Sequence, residues 1–277
     1  MRTLAFRLIV PTALALALPF GVASAQRKPT PIPPPPGPAA TPADDAQAPF
    51  AAYQRGYFLT AFSEATKRAQ SDPQAMALLG ELYANGFGVP RDDAKAASWF
   101  KLAADRGNRE AIFALAMLKF EGRGGPRSAD EGAKLLEQAA KLGHPGAAYD
   151  LGLLYLQGNQ FPQDFKRASE LFAIGATAGN PESQYALATL YKEGRGVAKD
   201  DTQAMRLMGQ AAAAGNLDAM VEFAIAQFNG SGTVKNEAAA SQTFLKAARR
   251  GSAIAQNRMA RILSAGRGQP ANPVEAV

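Results

Sequence analysis

Cysteine is absent from the 277 residues, and with it go disulfides, thiolate metal sites and cysteine nucleophiles. Histidine occurs once, as His144 between Gly143 and Pro145. One imidazole cannot make the histidine clusters typical of zinc sites, and this position reads as an unusual helix cap or turn residue rather than a catalytic base. The apolar stretch Leu8 to Phe20 falls short of the ~20 residues that a membrane-spanning helix needs, and Pro11 interrupts it. Paired carboxylates do occur, Asp92-Asp93 and Asp200-Asp201. Both stand at expected helix starts, where negative charge is favoured, so they read as caps rather than as an acid–base pair. The glycine pairs Gly86/Gly88 and Gly194/Gly196 follow no strand and are not phosphate loops. Neither a cofactor nor a metal is expected, and an envelope hydrolase is the least supported class.

What the chain does have is a period of 36 residues. Asp72, Asn108, His144, Asn180, Asn216 and Ser252 are equally spaced, and so are Gly86, Gly122, Gly158, Gly194, Gly230 and Gly266. A third register holds Gly107, Gly143, Gly179, Gly215 and Gly251; a fourth holds Asp92, Ser128, Asp164, Asp200, Asn236 and Asn272. Asp, Asn and Ser accept hydrogen bonds from the free N–H groups of a helix start. Pro73, Pro145 and Pro181 follow at the first helical position, where a missing N–H costs nothing, and glycine suits the left-handed turn that ends a helix. Each repeat therefore reads as two antiparallel helices of roughly 13 residues, each about 20 Å long.

Self-similarity at this period marks a solenoid, whose units bury their apolar faces only against their neighbours. The expected fold class is all-α: a right-handed α-solenoid of antiparallel helix pairs. Counting residues past the first-helix cap, columns three, seven and ten are small or aliphatic. Column seven reads Leu79, Leu115, Leu151, Leu187, Phe223 and Met259; the next reads Gly80, Ala116, Gly152, Ala188, Ala224 and Ala260. Small residues beside large ones let helices approach closely.

The pattern from Leu79-Gly80 through Tyr83, Gly86, Gly88, Val89, Asp92, Ala96, Trp99-Phe100 and Ala103-Ala104 to Gly107 resembles the Sel-one-like repeat (SLR), a relative of the tetratricopeptide repeats. Tyr191, Gly194, Gly196, Val197, Asp200, Ala204, Ala211, Ala212 and Gly215 match nearly as well. Departures fall at Lys119, Gln160, Gln227 and Thr243. The lack of cysteine separates the chain from the cysteine-bridged secreted members of that family. The resemblance specifies fold; a repeat motif encodes packing rather than chemistry.

Around the repeats, Arg2 and Arg7, the apolar stretch and Ala23-Ser24-Ala25 form an export signal cleaved before Gln26, placing the chain in the periplasm or outside the cell. Residues 26–46, with Pro29-Thr30-Pro31-Ile32-Pro33-Pro34-Pro35-Pro36, read as an extended spacer. Residues 47–71 read as a divergent capping helix pair broken at Gly56. The repeats then run 72–107, 108–143, 144–179, 180–215, 216–251 and, in part, 252–277. Asn272 opens another helix and the chain stops, which reads as a fragment or a shortened gene product.

Columns five, nine and twelve share one stripe of the first helix, spaced i, i+4, i+7, and avoid the stacking columns. In tetratricopeptide relatives these positions line the concave groove, and the resemblance implies the same here. They hold Phe113, Met117 and Phe120; Tyr149, Leu153 and Leu156; Tyr185, Thr189 and Lys192; then Val221, Ile225 and Phe228. Such residues mark a partner site if they are exposed; the alternative is that several pack on their own second helix. Asp150, Glu222, Lys192 and Arg261 are the expected polar rim. The function this implies is a noncatalytic scaffold or adaptor that binds a helix or extended segment of a protein partner. Resemblance to periplasmic members suggests a regulator of an envelope signalling protein, such as a membrane kinase sensor.

The formal charge of +6 includes Arg2 and Arg7; about +4 without them is ordinary for a solvated surface. Basic residues cluster late, at Lys246, Arg249, Arg250, Arg258, Arg261 and Arg267. This motivates a second reading, an envelope structural protein that binds peptidoglycan or an anionic polysaccharide. Nucleic acid is not an expected partner.

Overall fold

A computed structural model describes residues 42–272 and Val274, all within one unit, Pro42–Val277. The export signal and most of the proline-rich spacer lie outside the described residues. Every element among the described residues is a helix: α1 (Pro42–Gln54), α2 (Phe58–Arg68), α3 (Pro73–Asn85), α4 (Asp93–Ala104), α5 (Arg109–Glu121), α6 (Ala129–Lys141), α7 (Pro145–Gln157), α8 (Phe165–Thr177), α9 (Pro181–Glu193), α10 (Asp201–Ala213), α11 (Leu217–Asn229), α12 (Glu237–Arg249) and α13 (Ala253–Ala265). One boundary differs from the sequence reading: α1 begins at Pro42, so residues 42–46, assigned there to the spacer, are helical. Proline is well suited to the first position of a helix, where its missing N–H costs nothing.

The caps explain why the helices sit where they do. Asp72 accepts from the Gln74 N–H at 2.8 Å, Asn108 from Ala111 at 2.8 Å, and Asn180 from Ser183 at 2.7 Å. Second helices start the same way, with Asp92 accepting from Lys95 at 2.9 Å and Asp164 from Arg167 at 2.8 Å. Each such cap contributes about 1 kcal/mol. His144 caps α7 through Nδ1, which accepts from the Ala147 N–H at 2.9 Å. Its Nε2 lies 2.8 Å from Glu110 Oε2 in the preceding repeat, so Nε2 carries the proton.

In two of the repeats the helix pair is closed by a second-helix aromatic ring on a first-helix glycine. The Phe100 ring fills the place a side chain would take at Gly80, and Phe172 does so at Gly152. Leu79, Leu151, Phe172, Met208 and Phe244 are fully buried, each stabilising the stack by about 2–3 kcal/mol. Second helices pack on the next first helix as well as on their own partner, so the layers continue from α1 to α13.

A loop clasp locks successive repeats. Except after Gly158, the glycine two residues past the first-helix stop lies against the preceding second helix: a Cβ at Gly124 would overlap the Asp93 carbonyl, and one at Gly196 the Phe165 carbonyl. The residue before it reaches the same place. Arg123 pairs with Asp93 at 2.7 Å, the Arg195 guanidinium stacks over Phe165 at 3.9 Å, and Arg267 pairs with Glu237. Gln160, where this glycine is missing, donates to Asp130 instead. Phe87 stacks on Phe58 at 4.7 Å in the equivalent place, so α1 and α2 act as a preceding repeat.

Candidate protein-binding face

Successive first helices touch one another, α3 with α5 and α7 with α9, and the stripe of columns five, nine and twelve lies along them. Helical spacing selects these residues, but their depth varies. Leu153 and Val221 are core residues, 9% and 6% exposed, which corrects their assignment to an open groove. Leu153 belongs to the buried cluster with Ala168, Phe172 and Leu187, and Val221 to that with Ala240, Phe244 and Ala255. Phe120 presses its ring on Gly132 of its own second helix, and Tyr149 tilts over Phe172 at 5.8 Å. Met117, Leu156, Ile225 and Phe228 are half-buried and pack on the core edge. Phe113 is half-buried and stacks on His144 with ring centroids 4.3 Å apart. The face is therefore a shallow ribbon of half-buried rings and aliphatic groups.

The polar groups divide the ribbon. Tyr185 donates its hydroxyl to Glu222 at 2.9 Å, and Lys192 donates to the other Glu222 oxygen at 3.0 Å, tying α9 to α11. Burial, and then Glu222, raise the Tyr185 hydroxyl above its usual range. Thr189 is spent internally, donating to the Tyr185 carbonyl at 3.1 Å. Asp150 sits deeper than a rim residue: it is half-buried, and burial pushes its carboxyl up to about 7. No hydrogen bond or ion pair reaches it from the described residues. Beside it, burial and the charges of Asp150, Glu182 and Asp218 push the Tyr149 hydroxyl up to about 12. The middle of the face is thus acidic, with Lys192 already engaged.

The last repeat carries the opposite sign. A cavity of about 200 Å³ opens between α11 and α13, walled by Ile225, Phe228, Phe244 and Ile262 with Arg258 and Arg261 at its edge. Arg267 also lines it, held by Glu237 and stacked over Phe228 at 4.4 Å. Lys246, Arg249 and Arg250 line a different cavity with Met220 and Phe223, so the late basic cluster is two separate patches. Sequence reasoning placed Arg261 on the rim and passed over Arg258 as a groove residue. The available signal was column six, one position from the stripe, where Asp150, Glu222 and Arg258 recur. Among the described residues no three His, Asp or Glu side chains gather to hold a metal, and no helix is long and apolar enough to cross a membrane.

Capped helix pairs at a fixed period, stacked through glycine-tipped clasps and carrying no clustered metal ligands among the described residues, define an all-α repeat solenoid. The Sel1 repeat matches residues 73–108, 109–144, 145–180, 181–216, 217–252 and 253–277, and the chain belongs to the Sel1 repeat family. A Sel1 repeat protein from Oxalobacter formigenes is similar at 27% identity with a TM-score of 0.74, over 82% of this chain and 94% of that one. A protective antigen of uropathogenic Escherichia coli strains with an SLR fold is similar at 27% identity with a TM-score of 0.71, over 84% of this chain. The alignment spans about half, 52%, of the length of that antigen. No curated protein sequence matches. Sel1 repeats generally serve as protein–protein interaction scaffolds.

Proposed function

We infer that this chain is a noncatalytic, exported scaffold whose first-helix face binds a segment of a partner protein. The observation that carries this reading is Asp150. Its carboxylate is half-buried with no cation or donor among the described residues, an arrangement that costs stability when ionised, and an incoming lysine or arginine would offset that cost. Tyr149 beside it, and half-buried Phe113 and Met117 on the stripe of the preceding repeat, offer the amphipathic and apolar contacts that interfaces favour. A basic residue flanked by apolar anchors, on a helix or extended strand, has the complementary chemistry. A regulator of an envelope signalling protein fits that description. The reading of a structural protein held to an anionic polysaccharide by one basic face is less well supported, since the basic residues divide between two cavities.

The test is cross-linked affinity purification of the chain from its native envelope, beside an Asp150→Lys variant shown by circular dichroism to keep its helices. A defined protein recovered by the wild type and lost by the variant carries the reading; equal recovery by both removes this face from it. N-terminal sequencing of the exported protein checks export, with Gln26 expected first.

A further inference from the structure

Column six reads Leu78, Ala114, Asp150, Ala186, Glu222 and Arg258 along the stack, and column nine reads Glu81, Met117, Leu153, Thr189, Ile225 and Arg261. Only in the last repeat do both carry a cation. Spaced i, i+3, Arg258 and Arg261 stand on one side of α13, over the cavity beside Ile225 and Phe228. Both are exposed, and neither has an ion pair or hydrogen bond among the described residues, whereas Arg267 beside them is engaged by Glu237. The floor is apolar: Phe244 is 1% and Ile262 4% exposed. A volume of about 200 Å³ exceeds that of an apolar cavity of about 150 Å³ that holds benzene, enough for one aromatic ring.

We propose that this cavity is an acid-recognising subsite that takes a carboxylate carried next to an aromatic or aliphatic side chain of a partner protein segment. The proposal rests on the protein-binding reading and adds direction to it. A segment lying on the face places its basic residue over Asp150 and its acidic, apolar end against Arg258 and Arg261. Guanidinium groups suit this place because they are weakly hydrated and grip a carboxylate through two parallel N–H bonds. The apolar walls select against a bare anion, which gains nothing from Ile225 and Phe228. Charge complementarity at both ends sets the register and orientation of the segment.

The test titrates the full chain with N-acetyl-phenylalanine, N-acetyl-phenylalaninamide and inorganic phosphate at constant ionic strength. Binding is followed by the NMR signals of the arginine Nε–H groups, assigned with Arg258→Gln and Arg261→Gln variants. The expected result is a saturable shift at both arginines with N-acetyl-phenylalanine. Affinity should be about tenfold weaker for the amide and in each glutamine variant, and at least about threefold weaker in Ile225→Ala. Absence of a saturable shift, equal binding of the amide, equal binding of phosphate, or indifference to Ile225→Ala would each overturn the proposal. Probe binding is independent of the envelope purification: the probe binding as expected while Asp150→Lys recovers every partner would remove the Asp150 face from the scaffold reading and leave the subsite standing.

Discussion

Arg123 crosses from one repeat to the next to hold Asp93, donating through Nε at 3.2 Å and Nη2 at 2.7 Å to the two carboxylate oxygens. The same Nη2 also donates to the Ala84 carbonyl at 3.0 Å. The Arg123 and Arg91 hydrogen bonds hold the Asp93 carboxyl well below the usual range. A depressed carboxylate contributes stability that is present above its unfolded pKa and lost as pH falls toward the folded one. Arg123→Ala should therefore destabilise by about 1 kcal/mol at pH 7, and the difference from wild type should shrink below pH 4. Urea unfolding at pH 7 and pH 3 measures both values; a difference unchanged by pH would remove Asp93 as the reason.

The glycine behind that arginine is constrained in two ways. Gly124 has φ +70°, and a Cβ there would overlap the Asp93 carbonyl. The neighbouring Gly125 meets nothing within 4 Å and lacks a positive φ. Gly124→Ala should cost about 1–3 kcal/mol while Gly125→Ala stays within about 0.5 kcal/mol, both read from thermal melts.

Asp150 supplies a test of opposite sign. Burial raises its pKa to about 7, so the folded state holds a proton that the unfolded state gives up near pH 4. Its ionisation penalises folding increasingly as pH rises from about 4 to 7 and then levels off. Asp150→Asn should raise stability by about 2–4 kcal/mol at pH 8 and by less at pH 5. Equal gains at both pH values would mean that the carboxylate is solvated.

His144 performs a role that aspartate, asparagine and serine perform elsewhere in the stack. His144→Ala should cost about 1 kcal/mol through the lost cap, and His144→Asn should restore most of it. Should asparagine prove as costly as alanine, the stabilisation would come from the Phe113 stacking and the Glu110 contact instead.

The helix boundaries were legible because their chemistry is local: an Asn108 before a helix and a Gly122 after it act through neighbours three or four residues away. The stripe was legible as a face but not as a depth. Period alone cannot tell Leu153, which is buried in the core, from Phe113, which stays half-buried against His144. Asp150 looked like a rim residue because its sequence neighbours give no hint of the burial around it. The division of the late basic cluster was equally hidden, since Arg250 and Arg258 are close in sequence but line different cavities. The engagement of Arg267 by Glu237 arises only when one repeat stacks on the next.

The clasps also imply a syntax for repeat order. Arg123 needs the acid of the unit before it, Arg195 needs Phe165, and Gln160 needs Asp130. Units exchanged at random would present an arginine to the wrong neighbour or a side chain where only a glycine fits. Duplication of a unit together with its neighbour would preserve the clasp between them and leave one new junction to be matched.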